Sequence, residues 1–512
     1  MSSSTTLFSS NLSNSISFFS DEWTLAILIA SFLLVLLVLK FFQNSKLSLP
    51  PGPLKEPFLG HLRVIPSENQ ADVFHEWAKV YGDIIGLQFL GRNVIVLDSF
   101  QHARELLDKR GLHYSCRPNF VVYELYSCAG YGTKEFFKHR KMFQSFFGKR
   151  ESAEYIPTQA EYAKILAGNL IRDPQQYVWY LEKFTTSVII RISSGYQVIE
   201  DDDMYIKIAH EYSKKLNDSG SPGNTPVDYF PWLRYLPSWF PGTFYAFHAR
   251  SAYKMMRQEF DVPVEYVQRQ MANGTAQPSF LLYLLEGLNR RLEDIEDPLK
   301  KQTLYREELL HIAGAAGTVY SAGGETSYAS LQTFILAMTL YPEVQRSAQD
   351  EIDRVLGVHD KRVSRLPEIE DRENLLFVEC VLQELFRWHP VVPLGVPHRS
   401  TADDVYNGMS IPKGSIIFSN IRGMSLDERI YSDPDSFNPM RFMPKEKGGK
   451  EEPYFVAQWG FGRRICPGRY LADTQLWLAI VTILATLNIR KAKDENGKEI
   501  EPEVKFTDGL VR

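Results

Sequence analysis

Residues 459–468 read WGFGRRICPG and place one cysteine, Cys466, among three glycines and two arginines. Glycine lets a backbone turn tightly and approach a large flat group closely. The charges of Arg463 and Arg464 would lower the pKa of a neighbouring thiol and favour the thiolate, to which backbone N–H groups of such a loop can donate. The segment therefore predicts a thiolate that binds a soft metal. A buried structural cysteine in a turn is the alternative interpretation.

The same segment does not match a nucleotide-binding loop. Gly460 and Gly462 would open a dinucleotide fingerprint, but Ile465 stands where its third glycine is required. We therefore expect no NAD(P) site in this segment.

Composition excludes further classes of protein. The chain has 512 residues, 44% apolar and 23% charged, which is ordinary globular usage. Its net charge is −5 and it has no long run of like charge, which argues against a nucleic-acid partner. The four cysteines show no C-x-x-C spacing, so they predict neither a disulfide framework nor a structural zinc site.

An apolar run near the N-terminus predicts a membrane anchor. Residues 1–23 contain no Lys or Arg, and residues 24–42 are apolar apart from Lys40. At about 1.5 Å rise per residue this run nearly matches a hydrocarbon core of about 30 Å. Asp21 and Glu22 precede the run, whereas Lys40 lies at its far end and Lys46 follows it, which by the positive-inside rule places residues 1–23 in the lumen and the rest of the chain in the cytoplasm. A cleaved signal peptide and a buried core helix are the alternatives.

Residues 49–53, LPPGP, cannot continue a helix because proline fixes φ, so residues 43–58 are predicted to form a stiff hinge. Residues 59–512 contain no internal repeat and no long polar linker, and we expect them to form one large domain. Apolar spacing in this domain predicts mostly α-helix with a small β region, including a strand at 416–418 and a hairpin turn at Asn407-Gly408.

One long helix is predicted between Pro298 and Pro342, since no proline interrupts it and apolar residues recur at helical spacing. Gly323 and Gly324 lie in its middle, where each glycine costs up to about 1 kcal/mol relative to alanine. Close packing against a flat group or a kink would explain them.

Residues 459–468 resemble the haem-binding loop of the cytochrome P-450 family, whose pattern is F-x-x-G-x-R-x-C-x-G. Gly462, Arg464, Cys466 and Gly468 match the pattern, while Trp459 replaces the phenylalanine. The resemblance implies the P-450 fold, haem b as cofactor and Cys466 as the axial ligand of its iron. Oxygen–oxygen bond cleavage at such a haem is a property of the family.

Two further segments resemble a structural triad of the family. Glu384-Leu385-Phe386-Arg387 matches E-x-x-R, and the segment 437–442 resembles the one that carries the third member, here Arg441. In the family this acid lies buried between two arginines, and an unpaired member would cost about 3–5 kcal/mol. As a surface pair, Glu384 and Arg387 would contribute only a few tenths of a kcal/mol.

The segment 322–326, AGGET, resembles the oxygen-binding A-G-x-D/E-T of the family. The resemblance implies that Thr326 holds water by hydrogen bonds, that Glu325 relays protons and that the glycines keep the helix close to the haem. A kinked helix, in which Thr326 merely donates to the carbonyl four residues earlier, is the alternative.

The haem propionates require cations, and two segments resemble those that supply them. Pro397-His398-Arg399 suggests His398, and Phe136-x-x-x-Arg140 resembles W-x-x-x-R with phenylalanine for tryptophan, which suggests Arg140. Solvated surface cations are the alternative for both.

The resemblance implies a membrane-anchored haem-thiolate monooxygenase of microsomal type, single-pass in the endoplasmic reticulum, with the catalytic domain in the cytoplasm. Electrons would come from NADPH through a separate cytochrome P-450 reductase, with cytochrome b5 as a further partner. Apolar stretches near 120–126, 315–322 and 391–396 favour a terpenoid, a steroid-like molecule or another lipophilic substrate, and several segments resemble those of fungal family members that serve secondary metabolism. A reductase-independent isomerase or dehydratase and a non-enzymatic gas sensor are the rival functions.

Two surface features suggest partners. The basic residues of segment 138–141, with Lys149 and Arg150, would suit an acidic partner protein. The aromatic segment 229–241 resembles a lid that dips into the bilayer surface. A solvated helix face and ordinary core packing are the respective alternatives.

Overall fold

The computed structural model describes residues 29, 31–32, 47–66, 68–121, 134–200, 202–218, 225–357, 365–507 and 509–511. The predicted tail, residues 1–23, and most of the predicted anchor, residues 24–42, lie outside these residues. Within the described part of the chain, no helix combines the length and the hydropathy of a membrane span.

Helices form most of the secondary structure, as the sequence predicted. The α-helices are α1 (Gln70–Tyr81), α2 (Phe100–Ala103), α3 (Gly111–Tyr114), α4 (Lys134–Phe147), α5 (Lys149–Ala153), α6 (Ile156–Arg172), α7 (Tyr177–Ser194), α8 (Met204–Asn217), α9 (Pro226–Tyr229), α10 (Phe244–Ala272), α11 (Phe280–Glu293), α12 (Pro298–Leu340), α13 (Pro342–Leu356), α14 (Leu376–Trp388), α15 (Ile421–Ser425) and α16 (Arg469–Thr486). A π-helix covers Arg104–Lys109, and short 3₁₀ helices cover Pro174–Gln176, Pro231–Tyr235, Ile369–Asn374, Pro439–Arg441, Lys445–Lys447, Ala457–Trp459 and Gly462–Arg464.

The strands are β1 (Ile84–Phe89), β2 (Arg92–Leu97), β3 (His398–Arg399), β4 (Asp404–Tyr406), β5 (Met409–Ile411) and β6 (Ile416–Ser419). Four of them form a sheet in the order β1-β2-β6-β3, in which β2 and β6 are parallel and the other pairs antiparallel. The predicted strand at 416–418 is confirmed as β6. Because Ile85, Ile95 and Ile417 are fully buried, the sheet is held by its apolar side chains as well as by its hydrogen bonds.

The chain divides into two compact units, Met1–Pro50 with Asp403–Ile411, and Pro51–Ala402 with Pro412–Arg512. The first unit contains the hairpin β4–β5, which confirms the predicted turn. Asn407 and Gly408 have φ of 49° and 74°, the two positive values that a type I′ turn requires. The predicted hinge, residues 43–58, stays a prediction. In the second unit, Pro51 accepts a hydrogen bond from Gly86 N of β1 at 2.8 Å.

The predicted long helix is confirmed as α12, which has 43 residues. Its N-terminus is capped by Asp297, whose side chain accepts from Leu299 N at 2.9 Å, and Pro298 occupies the first turn, where its missing N–H is not needed. The helix ends at Leu340, just before the proline that begins α13.

The glycine pair leaves α12 unbroken. A Cβ on Gly323 would lie 2.6 Å from Ile189 Cδ1, and one on Gly324 would lie 3.4 Å from Thr186 Oγ1. Both neighbours belong to α7, which is buried on nearly every face and therefore forms the centre of the core. Close packing, one of the two explanations offered for the glycines, applies at Gly323, where Ile189 of α7 occupies the space of a Cβ.

Candidate active site

The loop that carries Cys466 is closed by its own backbone. Cys466 N donates to Trp459 O at 2.7 Å, and the loop runs from the 3₁₀ helix Gly462–Arg464 into the first turn of α16. Gly462 has a φ of 52°, and a Cβ there would lie 2.5 Å from Leu107 O in the π-helix. Glycine is therefore required at 462 by both conformation and packing.

Trp459, which stands where the family has phenylalanine, packs its ring edge against Phe386 of α14, with 5.1 Å between ring centroids. This contact fixes the start of the loop against the helix that carries the E-x-x-R segment.

Burial raises the pKa of the Cys466 thiol, and four nearby groups lower it. The backbone N–H groups of Gly468 and Arg469 donate to the sulfur, and the guanidinium groups of Arg140 and Arg469 supply positive charge. The sequence interpretation assigned this charge to Arg463 and Arg464, whereas the charges that lower the pKa of Cys466 most are those of Arg140 and Arg469. Arg469 was missed by the sequence analysis. It lies three residues after the cysteine, as the first residue of α16, and this position places its guanidinium near the sulfur.

Arg464 has a different environment. Its guanidinium lies over the Phe136 ring, 3.5 Å from the centroid, and its Nε donates to Ser115 O at 2.7 Å. Arg140, one turn further along α4 than Phe136, donates to Ile465 O at 2.7 Å. Arg140 and the Phe136 ring that Arg464 covers are one turn apart on α4, so α4 contacts the Cys466 loop at both positions.

His398 is buried, and its Nδ1 lies 2.7 Å from Tyr114 O, which requires a proton on that nitrogen. Burial and the charges of Arg117 and Arg464 hold the pKa of His398 well below its ordinary value. The neutral ring then has only an acceptor left at Nε2. Its predicted donation to a propionate requires that the carboxylate itself raises the pKa, and this role stays a prediction.

Arg117 is a cation that the sequence analysis missed. It donates to Pro397 O at 2.8 Å, and the bridge between Cys116 and Arg399 brings it beside the His398 segment. No motif marks this residue, because only the pairing of distant backbone segments places it there.

The predicted triad meets in the interior. Glu384, Arg387 and Arg441 each have a side chain that is 0% exposed. Glu384 accepts from Arg387 Nε at 2.8 Å and from Arg441 Nε at 3.0 Å, and Asn438 N donates to it at 2.8 Å. Glu452, which the sequence analysis missed, accepts from Arg441 Nη1 at 2.8 Å. Each charge thus has an opposite charge and hydrogen bonds, the condition under which buried ion pairs are tolerated.

The segment Ala322–Thr326 lies in the middle of α12. Ala322 is exposed although Gly324 and Ser327 beside it are buried, so one face of this interior helix is open to a ligand. Thr326 Oγ1 donates to Ala322 O at 2.7 Å, the bond expected of the structural alternative. The bond uses the hydroxyl proton and leaves the oxygen lone pairs, so Thr326 can still accept a hydrogen bond from water.

Ala315 and Ala316, part of a predicted pocket wall, are buried in the protein core. Of the two other predicted walls, residues 122–126 lie outside the described residues, and Val396 is 47% exposed. Among the described residues of the three walls, Ala322 and Val396 are the exposed ones.

A groove of about 650 Å³ lies between α4 and the Cys466 loop. Its basic lining residues are Arg140, Lys141, Lys149, Arg463 and Arg469. Two members of the predicted basic face point elsewhere, since Lys138 pairs with Glu308 and the ring of His139 packs against that of His311. The basic residues that line this groove therefore come from α4, α5, the Cys466 loop and α16, and not from α4 alone.

The aromatic segment 229–241 exposes most of its large rings. Trp232, Tyr235 and Trp239 are 55%, 79% and 78% exposed, while Leu233 is buried. Ordinary core packing does not account for these three residues.

These residues fit a haem. The donor set at the half-buried Cys466 consists of a thiol with two N–H donors and two guanidinium groups, which together favour a thiolate ligand for iron. Arg117, Arg140 and Arg464 supply cations beside it, and α12, which packs against α16, presents its open face at Ala322.

Comparison with known proteins agrees with this geometry. The sequence pattern of the family described as cytochrome P-450 matches residues 50–509. Cytochrome P-450 monooxygenase 136 of Postia placenta is 36% identical over 482 residues, which cover 92% of this chain and 88% of the relative. Cytochrome P-450 monooxygenase claR of Ampulloclitocybe clavipes is 36% identical over 473 residues, which cover 91% and 84%. Cytochrome P-450 monooxygenase ple1 of Rhodocybe pseudopiperita is 34% identical over 486 residues, which cover 92% and 88%.

The match spans nearly the whole chain, including the Cys466 loop, the triad and the open segment of α12, and these relatives are fungal enzymes. The chain therefore belongs to the cytochrome P-450 family, and it is a monooxygenase whose cofactor is a haem iron.

Proposed function

We propose that this protein is a membrane-anchored monooxygenase that oxidises a lipophilic small molecule, with electrons passed from NADPH by a separate cytochrome P-450 reductase. The observation that carries the proposal is the open face of α12, where Thr326 and the half-buried Glu325 follow the exposed Ala322. An isomerase or dehydratase would have no use for this acid and alcohol pair.

When bound through Cys466, haem b supplies the reduction of dioxygen and the transfer of one oxygen atom to the substrate. The N–H groups of Gly468 and Arg469 hold the negative charge of the sulfur. Arg140 and Arg464, with Arg117 and His398 beside them, bind the propionate groups. Each of these residues positions the cofactor and takes no part in proton transfer.

Proton delivery is assigned to α12. Because the hydroxyl proton of Thr326 is donated to Ala322 O, its oxygen accepts from a water and holds that water at the open face. Glu325, one residue earlier, exchanges protons with the water. General acid–base terms of this kind contribute about 10²–10⁴-fold to rate.

The substrate is proposed to be lipophilic because the described open surfaces, at Ala322 and Val396, are apolar. A terpenoid or another secondary metabolite fits such walls, since they offer few polar anchors. Haem spectral shifts on titration with a panel of terpenoids would identify the class.

The membrane part of the proposal rests on residues 24–42 and on the exposed rings of Trp232, Tyr235 and Trp239. They support a single-pass anchor in the endoplasmic reticulum, with the aromatic segment at the bilayer surface. Deleting residues 1–42 should weaken binding to liposomes, and replacing Trp232 and Trp239 by serine should remove the residual binding.

Electron transfer is proposed to use the cationic groove beside the Cys466 loop. Arg140, Lys141, Lys149, Arg463 and Arg469 suit an acidic electron donor such as the reductase or cytochrome b5.

The test is a reconstitution of the full-length protein with reductase, NADPH and the compound that gives the largest haem spectral shift. We expect NADPH consumption that depends on both reductase and compound, with one oxygen atom in the product. The reduced, CO-bound protein should show the Soret band of thiolate ligation, and Cys466→Ala should abolish it. Product formation without NADPH would support the isomerase instead.

A further inference from the structure

Glu259 is a buried acid for which the proposed chemistry gives no role. It lies on α10, its relative exposure is 1%, and neither carboxylate oxygen has a hydrogen-bond partner among the described residues. An isolated carboxylate in the interior is strongly disfavoured, so such a group takes up a proton instead.

The charges around Glu259 point in the same direction. Burial raises its pKa well above the ordinary value, and the negative charge of Glu325 on α12 raises it further. The basic side chain one half-turn earlier on α10, Arg257, pairs with Asp261 and lies over the Phe260 ring. No basic group of the described chain forms an ion pair with Glu259.

Packing holds Glu259 beside α12. The neighbouring Phe260 ring fills the space where a Cβ on Gly317 would lie, so the two helices cross closely at this point. Tyr320, one turn further along α12, is also buried, and its hydroxyl donates to Tyr205 O at 2.6 Å. The phenol oxygen of Tyr320 is too weakly basic to take up a proton, so Glu325, whose charge acts on Glu259, is the neighbouring group that can accept one.

We propose that Glu259 is a positioning residue for the oxygen chemistry, a neutral carboxylic acid that stores the proton with which Glu325 is recharged. In this step the O–H bond of Glu259 breaks and an O–H bond of Glu325 forms, directly or through one water. Glu259 then regains a proton from a solvent hydronium ion, which is left as water, so no oxidant or reductant is needed. The proposal rests on the proposed role of Glu325 and Thr326.

The first test reads the protonation state and requires no turnover. Infrared difference spectra at neutral pH compare the full-length protein with Glu259→Gln and with Glu265→Gln, an exposed acid on the same helix. We expect Glu259→Gln to remove the C=O band of a protonated carboxylic acid and Glu265→Gln to remove carboxylate bands only. Loss of a carboxylate band in Glu259→Gln would overturn the proposal.

The second test reads proton delivery with dioxygen as the probe. Full-length protein, reductase and NADPH are mixed without organic substrate, and hydrogen peroxide released per NADPH is measured. We expect the ratio of water to peroxide to fall about 10-fold in Glu259→Gln, less than the roughly 10²–10⁴-fold of a direct acid, because water can recharge Glu325 slowly. Glu265→Gln should leave the ratio unchanged.

Three comparisons keep the outcomes separate. Glu259→Asp retains the carboxylic acid, so its ratio of water to peroxide should be close to that of the wild type. An equal fall of this ratio in the Asp and Gln variants would show that the shape of the side chain matters, and would overturn the proposal. If Glu259→Gln does not fold, Glu259→Leu replaces it, since an apolar side chain of similar volume suits an unpaired buried site. If the ratio of water to peroxide changes in Thr326→Ala but not in Glu259→Gln, this inference alone is refuted. If the ratio does not change in Thr326→Ala, the proposed function of α12 is refuted.

Discussion

Two glutamates of this chain are equally buried and have opposite surroundings. Glu384 on α14 is 0% exposed and lies between the guanidinium groups of Arg387 and Arg441, with a backbone N–H from Asn438 as well. Glu259 on α10 is 1% exposed and neither of its oxygens has a described partner. The two regions differ only in whether the protein supplies opposite charge.

The difference teaches how burial should be interpreted. A carboxylate between two arginines has its charge balanced, and its network ties α14 to the segment 432–452, which leads towards the Cys466 loop. An acid with no cation stays protonated and can give its proton away. Burial alone therefore does not distinguish an acid with a structural role from one that transfers protons, whereas its hydrogen-bond and ion-pair partners do.

The largest expected effect is the loss of the paired acid. Glu384→Gln leaves Arg387 and Arg441 buried without their shared counter-charge, and the free energy of unfolding should fall by about 3–5 kcal/mol. Because typical domains are stable by only about 5–15 kcal/mol, haem retention should fail at moderate temperature. Urea unfolding and the haem content after purification measure both effects.

Glu379→Gln on the same helix is the matched control. Glu379 pairs with Arg372 at 2.8 Å, but its side chain is 17% exposed and Arg372 keeps Asp473 at 2.7 Å. The fall in the free energy of unfolding should be clearly smaller in Glu379→Gln than in Glu384→Gln. Equal losses in the two variants would mean that the complete burial of the Glu384 network contributes nothing special.

The sequence predicted the paired region far better than the unpaired one. Glu384, Arg387 and Arg441 were found because the two short segments that carry them resemble segments of the cytochrome P-450 family. Glu259 has no such signal, since its neighbours come from α12, whose Glu325 lies 66 positions away in the chain, and a missing partner leaves no pattern in a sequence. The long helix was also predictable from its flanking prolines, but the reason for Gly323 was not, because Ile189 meets it only after α7 has packed against α12.

A second prediction asks whether proton chemistry is confined to the region of Glu259 and α12. In Thr326→Ala, NADPH oxidation should continue and the release of hydrogen peroxide should rise. Product formation should fall by about 10²–10⁴-fold, because the water at the open face loses the hydroxyl oxygen to which it donates. Product and peroxide per NADPH are the measurements. Glu325→Gln should slow NADPH oxidation itself, since it interrupts the proton supply earlier.

Thr339→Ala controls for the hydroxyl itself. Thr339 is on the same helix and makes the same bond, with Oγ1 donating to Ile335 O at 2.7 Å, but it lies near the C-terminal end of α12. The amounts of product and peroxide formed per NADPH by Thr339→Ala should equal those of the wild type. Unchanged coupling in Thr326→Ala would remove the chemical role from this helix and leave its glycines as packing residues only.

The smallest and sharpest effect is the pH dependence of stability that Glu259 should impose. Its pKa is raised in the folded protein by burial and by Glu325, so the folded state binds the proton more tightly than the unfolded state, whose pKa is about 4.3. Stability from this group is then fully present below about pH 4 and is lost as pH rises from there towards the raised folded value, by up to about 1.4 kcal/mol for each pH unit. The other ionisable groups near it, Glu325 and Tyr320 on α12, are common to both proteins, and the comparison subtracts them. In urea unfolding at pH 5.5, 6.5 and 7.5, the free energy of unfolding of Glu259→Gln should therefore rise relative to that of the wild type at each step. That of Glu265→Gln should change with pH as the wild type does. A difference that is constant with pH would mean that Glu259 is ionised in the folded protein, and the contrast with Glu384 would then fail.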